Sequence, residues 1–160
     1  MALRLTAAAD YAIRAMIHIA CVPEGAPAMG NDVARMQGIP ASFMAKILRR
    51  LVRAGLLRSS RGAHGGFFLA RTATEVNLLD VVEAIEGPLT LTTCSTEPGG
   101  CQWAPDCPAS SVWFHVQEQM ADVLRKATLE AMVSMPRRNG KIVMNLASAR
   151  EVEPVGQRMG

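Results

Sequence analysis

Residues 39–69 read Ile39-Pro40-Ala41-Ser42-Phe43-Met44-Ala45-Lys46-Ile47-Leu48-Arg49-Arg50-Leu51-Val52-Arg53-Ala54-Gly55-Leu56-Leu57-Arg58-Ser59-Ser60-Arg61-Gly62-Ala63-His64-Gly65-Gly66-Phe67-Phe68-Leu69. Met44, Ile47, Leu48 and Leu51 recur at three- and four-residue steps, the period of a helix with one apolar face, and predict a helix over 41–54. Pro40 suits its opening, where no amide donor is needed. Gly55 supplies the left-handed residue that ends it. The other face carries Ser42, Lys46, Arg49, Arg50 and Arg53. Residues 56–60 and 67–69 then read as strands on either side of a turn. Its three glycines, Gly62, Gly65 and Gly66, let the backbone approach a phosphate or a groove closely. A basic helix followed by a hairpin outlines a winged helix; a solvated amphipathic helix beside an ordinary surface hairpin is the plainer reading.

Upstream, a short helix over 29–37 with Val33 and Met36 inward, joined through Gly38-Ile39-Pro40, completes a helix-turn-helix. Thr6 can cap a first helix running to Cys21, on which Ala9, Ala12, Ile13, Met16, Ile17 and Ala20 repeat at helical spacing. Pro23, Gly25 and Pro27 break it. Cys21 is expected in the core, as unpaired cysteines commonly are, and His18 beside it is expected to be structural.

Downstream, Asn77 can cap a helix over 78–86 with Asp80 in its first turn, and Gly87-Pro88 stops it. A long helix over 109–127 carries Val112, Val116, Met120, Val123 and Leu124 along one stripe, with Trp113 and Phe114 at its start. A small domain cannot cover both sides of such a helix, so its remaining apolar face is expected to meet a second copy in a two-fold homodimer. Thr128 can cap a short following helix, and from Pro136 the pattern dissolves. The expected fold class is mainly α: a winged helix-turn-helix with a two-stranded wing and a long C-terminal dimerisation helix. The chain divides into a DNA-binding region at 1–71, a helix and cysteine loop at 72–108, dimerisation helices at 109–135 and a flexible tail at 136–160.

Composition agrees with a folded domain. Of 160 residues, 49% are apolar and 19% charged, which excludes wholesale disorder, and the 4% aromatic content requires an aliphatic core. No run approaches the roughly 18 apolar residues of a membrane span, and no secretory pattern opens the chain, so a soluble cytoplasmic protein without membrane association is expected. Charge is segregated. Residues 1–71 carry ten Lys and Arg against three Asp and Glu, residues 72–135 two against nine, and residues 136–160 five against two. A basic N-terminal half suits a polyanion, and double-stranded DNA is the leading partner. No nucleophile with a base, nucleotide loop or pair of carboxylates on one face supports an enzyme.

Cys94, Cys101 and Cys107 fall within fourteen residues, as Cys94-x6-Cys101-x5-Cys107. In a reducing compartment such a cluster points to a metal or redox centre. Zinc sites usually pair thiolates two to four residues apart. The longer arcs here suit an iron–sulfur cluster, whose irons are ligated at separate corners, and Gly99 and Gly100 leave backbone amides to turn toward it. A zinc site, a thiol switch and an iron–sulfur electron carrier remain open. So does the fourth ligand: no further cysteine and none of His18, His64 and His115 lies in the loop.

Leu3-Arg4-Leu5-Thr6, Tyr11-Ala12-Ile13, Ile39-Pro40-Ala41-Ser42-Phe43, Ala54-Gly55-Leu56, Arg61-Gly62 with Gly65-Gly66, Leu79-Asp80-Val81-Val82 and the three cysteines together carry a resemblance over about residues 2–134. The chain resembles the Rrf-type winged-helix iron–sulfur transcriptional regulators, the family that includes IscR, NsrR and RirA. The resemblance implies a homodimeric bacterial transcription factor, a repressor, whose cluster senses nitric oxide, iron or redox state and controls DNA binding. It makes Cys94, Cys101 and Cys107 cluster ligands. In the IscR-like pattern a histidine follows the third cysteine by three residues, where Ser110 stands here. In the NsrR-like pattern an aspartate near the start of the first helix, supplied by the other subunit, completes a 4Fe–4S cluster, and Asp10 occupies that position. The ligand pattern is thus nearest to NsrR. A 2Fe–2S regulator of cluster assembly or iron homeostasis is the alternative. Without the resemblance, Asp10 is a first-turn carboxylate facing the helix dipole. On the DNA side, Ser42, Phe43 and Lys46 would meet base edges or a thymine methyl in the major groove. Arg49, Arg50 and Arg53 would meet phosphates, and Arg61 and His64 would enter the minor groove. Two copies on one axis predict a palindromic operator, with half-sites about one helical turn or a multiple apart.

Overall fold

The computed structural model describes residues 5–62, 65–92, 101–102 and 106–135, with the backbone of 137–138 and 141–142. Its centre is α1, Ala7–Ala20, capped as expected by Thr6, whose hydroxyl accepts from the Ala9 amide at 3.3 Å. Ala9, Ala12, Ala15, Met16 and Ile19 are buried. The run of alanines lets neighbouring helices approach closely, and α1 packs against elements from both halves of the chain.

Helices α2, Gly30–Gln37, and α3, Ala41–Arg53, form the helix-turn-helix, with Gly38 at φ 65° ending the first. Pro40 stands at the N-cap of α3, one place before the first turn. Met44, Ile47, Leu48 and Leu51 are buried as the periodicity requires. On α2 the inward residues are Val33 and Ala34, whereas Met36, expected inside, is 64% exposed. An eight-residue helix meets the core over little more than one turn, and Met36 lies beyond that arc. Cys21, also expected in the core, is exposed at the C-cap of α1, where the chain leaves the packed body.

The wing is β1, Leu57–Ser60, paired antiparallel with β2, Gly66–Leu69, in the register Leu57↔Leu69 to Ser60↔Gly66. Ala28 joins the other edge of β2 through two backbone hydrogen bonds with Phe67, each 2.9 Å. This third rung ties the wing to the start of α2. Helix α4, Leu78–Glu86, opens on a capping box of Asn77 and Asp80. Helix α5, Pro108–Lys126, packs on α4. Helix α6, Leu129–Val133, is capped by Thr128 and returns against α1. On α5 only Ala121 is buried, and Val112, Val116 and Val123, on the opposite side, are exposed. Within the stretch read as a tail, Arg137–Arg138 (β3) and Lys141–Ile142 (β4) pair antiparallel; the rest of 136–160 lies outside the described residues.

Candidate functional site

At 100° per residue, Ser42, Lys46, Arg49 and Arg53 fall within about 60° of arc on α3, opposite the buried stripe. All four are exposed. Arg49 is steadied by its Nε, which donates to the Ala45 carbonyl at 3.1 Å. Phe43 and Arg50 occupy the shoulder of the helix. Phe43 meets Tyr11 of α1 edge to face, with centroids 6.2 Å apart, and keeps 37% of its surface exposed. Arg50, expected at a phosphate, turns to α4 here, where its Nη2 donates to the Ile85 carbonyl in the last turn. That turn contains no basic residue of its own. Its terminal carbonyls lack helical donors and carry the negative end of the helix dipole, which a guanidinium satisfies.

On the wing, Arg61 is exposed, and His64 lies outside the described residues. The structure adds Arg58, whose guanidinium sits over the Phe68 ring at 4.2 Å on the solvent face of the hairpin. Strand alternation contains that signal, since Leu57 is buried and its neighbour must point out.

Cys101 and Cys107 are half-buried and in no disulfide. Cys107 is the N-cap of α5. Ser110, at the position of the IscR-type histidine, donates its hydroxyl to the Cys107 carbonyl at 2.8 Å. Cys94 lies outside the described residues. Among the described residues no three His, Cys, Asp or Glu side chains converge, so Asp10, Cys101 and Cys107 of one chain do not form a site together. Asp10 stands half-exposed on α1, paired at 2.7 Å with Arg14, whose guanidinium also lies 5.8 Å from the Tyr11 ring centre. The donor chemistry suits an iron–sulfur group: thiolates are soft ligands, and both described cysteines are partly shielded.

The segment leading to the cysteines is anchored at its root. Glu86 accepts from the Thr6 amide at 3.0 Å and from its hydroxyl at 2.6 Å. The Leu89 amide donates to Glu83 at 3.0 Å, and the Leu91 amide to Gln117 of α5 at 3.2 Å.

Residues 5–135 match the Rrf2 family of iron-dependent transcriptional regulators. The chain belongs to the Rrf2 family. It is 37% identical over 128 residues to a Mycobacterium tuberculosis protein assigned as an HTH-type transcriptional regulator, covering 79% of each chain. It is 29% identical over 151 residues to the transcriptional regulator IscR of Pectobacterium carotovorum, covering 94% of this chain and 88% of that one. Among solved structures, T. potens IscR matches with a TM-score of 0.66 at 26% identity, over 86% of this chain and 96% of that one. CymR, the global cysteine regulator of B. subtilis, matches with a TM-score of 0.69 at 22% identity, over 83% and 98%; at that identity the likeness speaks to the fold. This Rrf2 chain is a DNA-binding transcriptional regulator of the IscR type, and not an enzyme. No described helix is long and apolar enough to cross a membrane.

Proposed function

We propose that this Rrf2 regulator acts in the cytoplasm as a homodimeric repressor on a palindromic operator, with its affinity set by an iron–sulfur cluster on Cys94, Cys101 and Cys107. The observation that carries the DNA reading is the outward face of α3, where Ser42, Lys46, Arg49 and Arg53 stand in line and exposed beside the wing. Ser42 and Lys46, nearest the start of α3, reach base edges, and Phe43 offers an apolar edge to a thymine methyl. Arg49 and Arg53 hold phosphates; Arg61, with His64, follows the minor groove. The exposed valines of α5 meet their counterparts in a second copy.

Asp10 is the fourth ligand, supplied to the cysteines of the partner subunit, and the cluster is 4Fe–4S. Two observations support this. Its carboxylate is half-exposed, and its ion pair with Arg14 is a surface pair worth about 0.5 kcal/mol, a small obstacle to ligation. Ser110 offers no imidazole for an IscR-type site, and its hydroxyl is turned to the Cys107 carbonyl. When bound, the cluster supplies a joint between the two copies that nitric oxide, iron supply or redox state can undo. A tenfold change in operator affinity needs only about 1.4 kcal/mol of coupling, within the usual range.

Anaerobic native mass spectrometry and absorbance of the full-length chain test this, with binding measured on a duplex selected from a random pool. A brown dimer with one cluster per chain is expected. Nitric oxide should bleach it and weaken binding tenfold or more, and Asp10→Ala should keep the dimer while changing the cluster. A colourless protein whose DNA affinity ignores nitric oxide, iron and oxygen overturns the proposal.

A further inference from the structure

Arg50 lies among the basic residues of the reading helix yet turns away from their common face. Its guanidinium donates to the Ile85 carbonyl, 35 residues on in sequence, at the end of α4. The next residue, Glu86, holds the N-cap of α1 through Thr6. Gly87, at φ 88°, then turns the chain out of the helix. Leu89 and Leu91 are fixed by Glu83 of α4 and Gln117 of α5 on the way to the cysteine segment. The last turn of α4 is therefore where the root of the cysteine loop, the start of α1 and the reading helix are joined by hydrogen bonds.

We propose that Arg50 is a positioning residue that transmits the state of the cysteine loop to α3 through the Ile85 carbonyl, without touching DNA. A shift at the end of α4 moves its terminal carbonyls, and the planar, always-charged guanidinium follows them because it bonds an acceptor that no helical amide satisfies. Arg50 stands on the shoulder of α3, so its pull acts on the helix that carries Ser42, Lys46, Arg49 and Arg53. The inference rests on the sensory reading above and adds the route by which it reaches the DNA.

The test compares full-length wild-type protein with Arg49→Ala, Arg53→Ala, Arg50→Ala and Arg50→Gln on the pool-selected duplex. Each is measured as isolated anaerobically and after iron is stripped with a chelator, over a salt series. Each lost phosphate contact lowers the slope of log affinity against log salt by about 0.9, so in the dimer Arg49→Ala and Arg53→Ala are each expected to lower it by about 1.8. Arg50→Ala is expected to keep the wild-type slope but to bring the affinity ratio between the two iron states toward unity. Arg50→Gln keeps an amide donor for the carbonyl without the charge, so it should retain both the slope and part of the ratio; it also decides the matter if Arg50→Ala does not fold. A slope reduced in both Arg50 variants, or a wild-type ratio retained in Arg50→Ala, overturns the proposal. A wild-type protein with equal affinity in both iron states fails the sensory reading instead, and the salt slope then still shows whether Arg50 touches DNA.

Discussion

Glu75 shows how a single side chain sets a pH dependence in this fold. The Thr72 hydroxyl donates to its carboxylate at 2.7 Å and the Thr72 amide at 2.9 Å. Those bonds, hydroxyl first, hold its pKa below the ordinary 4.5. Above that pH the group is charged folded and unfolded, so its stabilising contribution is complete; it is lost as pH falls through the lowered folded-state value. The stability difference between wild type and Glu75→Gln should therefore be constant from neutrality to about pH 4.5 and shrink below it, read from urea midpoints. Gly66 answers to sterics. A Cβ there would lie 2.9 Å from the Ala28 carbonyl oxygen and 2.7 Å from Pro27 Cβ, at the rung that joins wing to body. Gly66→Ala should cost about 1–3 kcal/mol, seen as a lowered denaturation midpoint.

Among the elements, the caps were readable from sequence, because a cap acts within one turn. Thr6, Asn77 and Thr128 all accept from the amide three residues on. Which residues of a short helix face inward was less readable: Val33 and Met36 fit one stripe by spacing, yet packing buries Val33 with Ala34. Helix α5 carries its apolar residues on two sides, one against α4 and one exposed. Val116→Asp places a charge on the exposed side. It should leave the protomer folded while shifting the protein to monomer in sedimentation velocity, since burying a valine in a two-fold contact contributes about 1.5–3 kcal/mol per copy.

For the whole molecule the decisive quantity is charge. Residues 1–71 carry ten cations against three anions, and the acidic residues concentrate in 72–135. With Arg49 and Arg53 on phosphates in each of two copies, log affinity should fall against log salt with a slope of about −4. A slope near −2 in fluorescence anisotropy would dismiss this contact set. The cysteine spacing announced a centre, but its assembly was not legible. Cys101 and Cys107 do not converge with Asp10 inside one chain, and a linear pattern does not say which copy supplies a ligand.

Sequence alone determined the order of helices, their caps, the wing and the basic face of α3, because each follows from periodicity or from a side chain acting within a turn. Tertiary structure decided which arginine of that face belongs to it, that Cys21 is exposed, and that the end of α4 is tied to α1 and α3. The Arg50 and α4 outcomes turn on partners 35 and 80 residues away. Their approach is set by how the alanine-lined α1 and the buried face of α3 pack, and local spacing carries no record of it.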